Sequence, residues 1–224
     1  MNKTKALAQN AAIQIIGKTA ATLLGVFTVA ILARHLGVEG YGQFTIALSF
    51  LSIFAVIVDF GLTLTTTQMI SEKEADEATL LGNLLTLRII LAVVFLALAP
   101  VVALVFPYDN VIQLAIAIGA FSYLFGTTAQ MFVGVFQKRM LMSRVVIAEL
   151  ANRTAVLIGV LFAPYFGFGV VDIVWLLVIG NAIQLLLMLW QTKVLVAFKP
   201  KLNTAIWKKI ILRSWPIGAS IFFN

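Results

Sequence analysis

The chain has 224 residues, of which 62% are hydrophobic and 11% charged, and its formal net charge is +7. This composition is too apolar for a protein that folds around a water-facing surface, so it indicates an integral membrane protein. The basic residues are then read first as topology signals rather than as a nucleic-acid interface, and the absence of cysteine excludes disulfides, thiolate metal sites and a cysteine nucleophile.

Six apolar segments follow one another along the chain, and each is long enough for a helix to cross a bilayer core of about 30 Å. A seventh segment opens near Ile206. Hydrophobic residues run without alternation inside the segments, which excludes the strands of a β-barrel. The sequence therefore predicts an all-α, polytopic membrane helix bundle of six transmembrane helices plus the start of a seventh. The six predicted spans are residues 11–33, 44–65, 80–106, 111–136, 145–165 and 170–190.

The basic residues outside these spans are distributed very unevenly between the two sides of the membrane. If the N-terminus is cytoplasmic, twelve of them lie at cytoplasmic ends or loops and only Arg34 lies outside. Positive charge concentrates on the cytoplasmic side of membrane proteins, so we expect a cytoplasmic N-terminus. Lys18 interrupts the first apolar segment, which favours a retained first span over a signal peptide. The acidic run at 72–77 is expected to be a solvated connector.

Five ionisable residues fall inside the predicted spans, roughly 6 to 12 Å below the cytoplasmic surface by helical rise. A charge in the bilayer costs at least about 2.5 kcal/mol and needs a partner, a water-filled cavity or a route to the interface. Three of the five are cations, so a shared cavity would favour an anionic head group such as a pyrophosphate. The candidate binding residues are Lys18, Arg88 and Arg153, and the candidates for a coupling site or a structural ion pair are Asp59 and Glu149.

Structural roles compete with binding at each of these positions. Glu149 and Arg153 are four residues apart with the acid first, the favourable order for a salt bridge within one helix. Lys18 could pair with Asp59 on the neighbouring helix or extend to the interface. Arg88 has no obvious acidic partner in the sequence, which makes it the strongest binding candidate.

Motifs for enzymatic chemistry are not found in the sequence. It has no glycine-rich phosphate loop, and its single histidine, His35, makes a zinc site implausible, so we predict neither cofactor nor metal. A membrane-embedded glycosyltransferase or polymerase would need an extended loop with paired acids, which the sequence also lacks. Gly17, Ala21 and Gly25 share one helix face and predict close packing of the first span against another helix.

The stretch from Ala33 to Phe44, with the pattern Arg-x-Leu-Gly-x-x-x-Tyr-Gly-x-Phe, resembles the first outside loop of bacterial polysaccharide flippases. These O-antigen and exopolysaccharide translocases belong to the superfamily that also contains multidrug extruders and the lipid II flippase. Three later segments fit the same resemblance in place and order, and together they extend it over essentially the whole chain. They are residues 58–62, 82–88 and 136–139.

The resemblance implies a transporter of two six-helix lobes that moves an undecaprenyl-pyrophosphate-linked oligosaccharide across the bacterial cytoplasmic membrane by alternating access. It implies that Lys18, Arg88 and Arg153 engage the pyrophosphate. It further implies that residues 1–200 form an N-terminal six-helix lobe and that 201–224 begin a second lobe, from a truncated reading frame or a lobe that pairs with another polypeptide.

The partners implied by the resemblance are the lipid-linked oligosaccharide, membrane lipids and other polysaccharide-assembly proteins, with no nucleic acid. The alternative is a cation-coupled drug or metabolite extruder of the same superfamily, in which Asp59 or Glu149 would carry the coupling ion.

Overall fold

The computed structural model describes residues 3–72 and 76–222, and within them all regular structure is helical, as the sequence predicts. Five stretches are long and apolar enough to cross a membrane: Gln9–Ser71, Glu77–Ala103, Asn110–Lys138, Met142–Phe166 and Val170–Leu195. The helices are α1 (Lys3–Asp59), α2 (Leu62–Ser71), α3 (Glu77–Ala103), α4 (Asn110–Gln130), α5 (Val133–Lys138), α6 (Met142–Phe166), α7 (Val170–Leu195) and α8 (Thr204–Phe222).

Helix α1 contains the first two predicted spans, joined at a kink. Gly37 breaks the helical geometry with φ 67° and ψ −174°. Before the kink, α1 runs alongside α6, since Asn10 accepts a hydrogen bond from the Met142 N–H at 3.3 Å. After the kink, α1 runs alongside α4, since Gln43 donates to Asp109 at 2.7 Å and Leu51 lies against Gly119. The two halves therefore run in opposite directions, as two crossings require.

Two predicted spans end earlier than the sequence indicates. The second was expected to reach residue 65, but α1 ends at Asp59 because Phe60 and Gly61 have φ of 24° and 77°, a conformation outside the right-handed helix. The fourth was expected to reach residue 136, but α4 ends at Gln130 and α5 follows as a separate helix. The short helices α2 and α5 pack on each other, and the stretches that are apolar enough to cross a membrane still include them, at Gln9–Ser71 and Asn110–Lys138.

Close helix packing occurs where the small residues predict it. A side chain at Gly17 would begin 2.3 Å from the Val146 methyl group of α6, and Ala21 is buried. The seventh predicted segment is helical as α8, although it is not among the five candidate membrane spans. It packs against α2 and α3 beside the basic end of the bundle, the end that contains Asn10, Met142 and the start of α3.

The expectation of a solvated acidic connector at 72–77 is wrong for Glu77, whose side chain is 16% exposed, whereas Glu72 stays 51% exposed. Glu77 binds the ammonium of Lys138 at 2.7 Å and the guanidinium of Arg139 at 2.6 Å, and Glu72 pairs with Arg213 of α8. Glu77 ties α5 to the start of α3, and Glu72 ties α8 to the end of α2. Lys73 and Glu74 lie outside the described residues.

Candidate functional site

A hollow lined by apolar and polar side chains lies between α1, α4, α6 and α7, with Arg88 of α3 on one wall. Two connected cavities form it, with volumes of about 500 Å³ and about 370 Å³. Gln130 and Arg153 line it and are exposed, so the hollow opens on the surface of the described helices. Both cavities are bounded by Leu48, Gly126, Gln130, Leu177 and Asn181.

One wall of the hollow carries an ion pair between Asp59 and Arg88. Asp59 is the last residue of α1, and its carboxylate lies 2.7 Å from the Arg88 Nη2 atom of α3. The Arg88 side chain is 3% exposed and that of Asp59 is 32% exposed. Thr63, the second residue of α2, donates a hydrogen bond to the same carboxylate. The guanidinium is thus enclosed, whereas the acid keeps access to the hollow.

This pair corrects two expectations about the buried charges. Arg88 was expected to lack an acidic partner, and Asp59 was considered as a partner for Lys18. The helix break after Asp59 instead brings its carboxylate to α3, so Arg88 has its charge balanced within the lobe. The predicted contact of Arg88 with pyrophosphate stays a prediction, and the other two cations become the better candidates.

The opposite wall carries charges that are not paired. Glu149 and Arg153 of α6 both line the smaller cavity, about 10 and 16 Å along the helix from Met142. The salt bridge expected from their spacing is absent, because neither has an oppositely charged partner within 4.0 Å among the described residues. The Arg153 guanidinium lies 3.7 Å from the position that a Cβ at Gly25 would occupy, so the Arg153 side chain reaches α1.

Lys18 lies on the same face of α1 as two residues that line the hollow. Gly25 and Val29 follow it by seven and eleven residues, which places all three side by side along the helix. Lys18 is exposed, and no carboxylate of the described chain lies within ion-pair distance. Lys18 lines neither cavity, so its ammonium lies beyond the smaller cavity, toward the basic end of the bundle.

Sequence reasoning missed a network of neutral side chains in the hollow. Asn152 of α6 donates to Asn181 at 3.0 Å and to Gln184 at 2.6 Å, and Asn181 donates to Ser122 of α4 at 2.7 Å. The available signal was polar amides inside apolar segments, where interhelical hydrogen bonds are common. A search restricted to ionisable residues does not find these neutral amides.

Most residues that carry the family resemblance are used to build the fold. Gly82 allows the backbone carbonyl of Lys199 to approach to 2.1 Å of where a Cβ would stand. The buried Asn83 accepts a hydrogen bond from the Asn203 N–H at 2.8 Å. The segment after α7 is thereby fixed along the start of α3. Arg88 is the member of this stretch that reaches the hollow.

No group of three or more metal-binding side chains occurs among residues that the structure describes. The side chains that line the hollow offer charge recognition at Arg153 and Glu149 and hydrogen bonding at the amides.

Residues 7–224 match the family described as "Polysaccharide biosynthesis protein". The chain belongs to this family. A search of curated proteins finds no match. Together with the five candidate membrane spans, the fold indicates a multi-pass membrane protein.

Two solved transporters of the MOP superfamily have a similar fold. One is a multidrug resistance transporter of the MATE family in an outward-facing conformation, with TM-score 0.73, 15% identity and coverage of 98% of this chain and 53% of that one. The other is a transporter from Pyrococcus furiosus, described as having a binding pocket of reverse polarity, with TM-score 0.70, 16% identity and coverage of 96% and 52%. The chain thus spans about half the length of the transporters it resembles.

Proposed function

We propose that this chain is one lobe of a flippase that moves an undecaprenyl-pyrophosphate-linked oligosaccharide from the inner to the outer leaflet of the bacterial cytoplasmic membrane. The basic end of the bundle would face the cytoplasm, with the N-terminus on that side. A second lobe would complete the hollow, as the half-length match to two solved transporters suggests. Proteins of polysaccharide assembly would supply and receive the lipid.

The charge of the hollow is the observation that carries this proposal. Asp59 and Arg88 neutralise each other, which leaves Arg153 and Glu149 on the wall of the smaller cavity and Lys18 beyond that cavity on the same face of α1. These three charges sum to one positive charge. Guanidinium and ammonium groups without counter-ions favour a phosphate or pyrophosphate in a site of low dielectric. The neutral polar lining and the surrounding apolar residues suit a ligand that is part sugar and part lipid.

Binding of undecaprenyl pyrophosphate to the protein that contains this chain, held in lipid nanodiscs, tests the proposal. We expect Lys18→Ala and Arg153→Ala each to weaken the affinity about tenfold, because each removes a charge-assisted contact. Lys193→Ala is the matched control, since it removes an exposed cation from the same end but outside the hollow. Affinities that stay at the wild-type value in both hollow variants would reject the proposal.

A cation-coupled extruder is the second candidate, and Glu149 favours it. This acid lines the hollow and has no cationic partner among the described side chains, which leaves it available for a coupling ion. Asp59 is a weaker choice for that role because Arg88 already balances it.

A further inference from the structure

The neutral side chains in the hollow form a continuous strip across three helices. Ser122 of α4, Asn181 and Gln184 of α7 and Asn152 of α6 are joined by the hydrogen bonds described above. We call these four residues the amide strip. It crosses the part of the hollow that both cavities share, since Asn181 lines each of them.

The strip and its neighbour Gln130 retain hydrogen-bonding groups that the fold does not use. Asn152 donates both of its amide hydrogens, but the amide nitrogen of Gln184 has no acceptor among the described residues. Gln130 lines both cavities, is exposed, and makes no side-chain hydrogen bond within the described chain. A glutamine amide offers one acceptor oxygen and two donor hydrogens. Linking helices explains the internal bonds of the strip but not the free amide of Gln130.

The charges of the second wall adjoin this strip directly. Arg153 follows Asn152 in α6, and Glu149 stands one turn before it on the wall of the same cavity. A ligand held at Arg153 by an anionic group would therefore extend its next atoms along the amides. Neutral groups that both donate and accept match sugar hydroxyls, which also do both.

We propose that the amide strip together with Gln130 is the subsite for the sugar portion of the translocated lipid, beside the pyrophosphate position at Lys18 and Arg153. This inference rests on the proposed function and divides the hollow into two subsites. The cations bind the part that all such lipids share, and the amides bind the part that differs between polysaccharides.

Two lipid probes separate the subsites: undecaprenyl pyrophosphate, and the lipid-linked oligosaccharide extracted from cells that make the protein. We expect the oligosaccharide to improve the wild-type affinity about tenfold, the effect of one or two net hydrogen bonds. Gln130→Met and Gln184→Met should remove most of this improvement and leave undecaprenyl pyrophosphate binding unchanged. Both changes keep the length of the side chain and delete its hydrogen-bonding groups. Gln113→Met is the matched control, because that amide binds the Tyr108 carbonyl at the opposite end.

The outcomes distinguish a failure of the subsite from a failure of the proposed function. An oligosaccharide advantage that survives in both variants, or an equal loss for both probes, overturns the sugar subsite. Equal binding of the two probes to the wild-type protein overturns it as well. If neither probe depends on Lys18 or Arg153, the proposed function itself is wrong.

Discussion

The two walls of the hollow use buried charge in opposite ways. On the α1 and α3 wall, Asp59 and Arg88 form a 2.7 Å ion pair whose guanidinium is enclosed. On the α6 wall, Glu149 and Arg153 have no such partners in the described lobe, although their spacing would permit a bond to each other. The difference arises from the backbone: α1 ends at Asp59 and turns, whereas α6 continues straight through both of its charges. The first wall holds the fold together, and the second is available to a ligand.

The largest effect on stability is expected from Asp59→Asn, which breaks the ion pair on the α1 and α3 wall. It leaves Arg88 buried without a counter-charge, and removal of one partner of a buried pair destabilises a protein by about 3 kcal/mol or more. Because Asp59 is partly exposed, we expect about 2 to 3 kcal/mol, seen as a lower melting temperature in detergent. The double variant Asp59→Asn with Arg88→Met should recover part of this loss, since no charge then remains unpaired. If Asp59→Asn alone has the same melting temperature as the wild-type protein, the ion pair does not stabilise the fold.

The overall fold was predictable because lipid imposes simple rules. A backbone in hydrocarbon must bond to itself, so long apolar segments become helices, and the six predicted spans all coincide with or overlap the candidate spans, whereas the seventh segment does not. Of the five ionisable residues that the sequence predicts at one depth, Asp59, Arg88, Glu149 and Arg153 line the hollow, whereas Lys18 lines neither cavity.

Pairing and helix breaks could not be predicted from the same rules. Arg88 meets Asp59 because Phe60 adopts a positive φ, which phenylalanine disfavours, and the chain turns there. The Phe60 ring packs against Trp215 of α8. The Glu72 and Glu77 ion pairs likewise depend on which elements converge at the basic end. Hydropathy carries no information about such neighbours, because it is a property of one segment at a time.

An intermediate effect on stability is expected from Gly180→Ala, which disturbs the packing of α7 against the α6 wall. A Cβ at this position would stand 2.4 Å from the Asn152 amide oxygen and 2.5 Å from a Val156 methyl group. Either Asn152 must give up its hydrogen bonds or α6 and α7 must separate, at a cost of about 1 to 3 kcal/mol. Gly42→Ala is the control, since nothing lies within 4 Å of its Cβ position. Equal melting temperatures of the two variants would mean that α6 and α7 are not tightly joined here.

The smallest effect on stability is expected from Glu149→Gln, and this variant sharpens the contrast between the walls. Glu149 has no ion pair to lose in the described chain. The melting temperature of Glu149→Gln should therefore stay close to that of the wild-type protein, whereas that of Asp59→Asn should fall. In a flippase the change removes a negative charge beside the pyrophosphate position, so affinity for undecaprenyl pyrophosphate should be unchanged or a few-fold higher.

The same variant separates the two candidate functions. In a cation-coupled extruder Glu149 would bind the driving ion, so Glu149→Gln would abolish transport driven by a proton or sodium gradient in proteoliposomes. Loss of gradient-driven transport without any dependence of lipid binding on Lys18 or Arg153 would therefore favour the extruder. If transport is retained and lipid binding still requires both cations, the α6 wall binds the lipid head group. In that case Glu149 can be neutralised without loss of function, whereas Lys18 and Arg153 cannot.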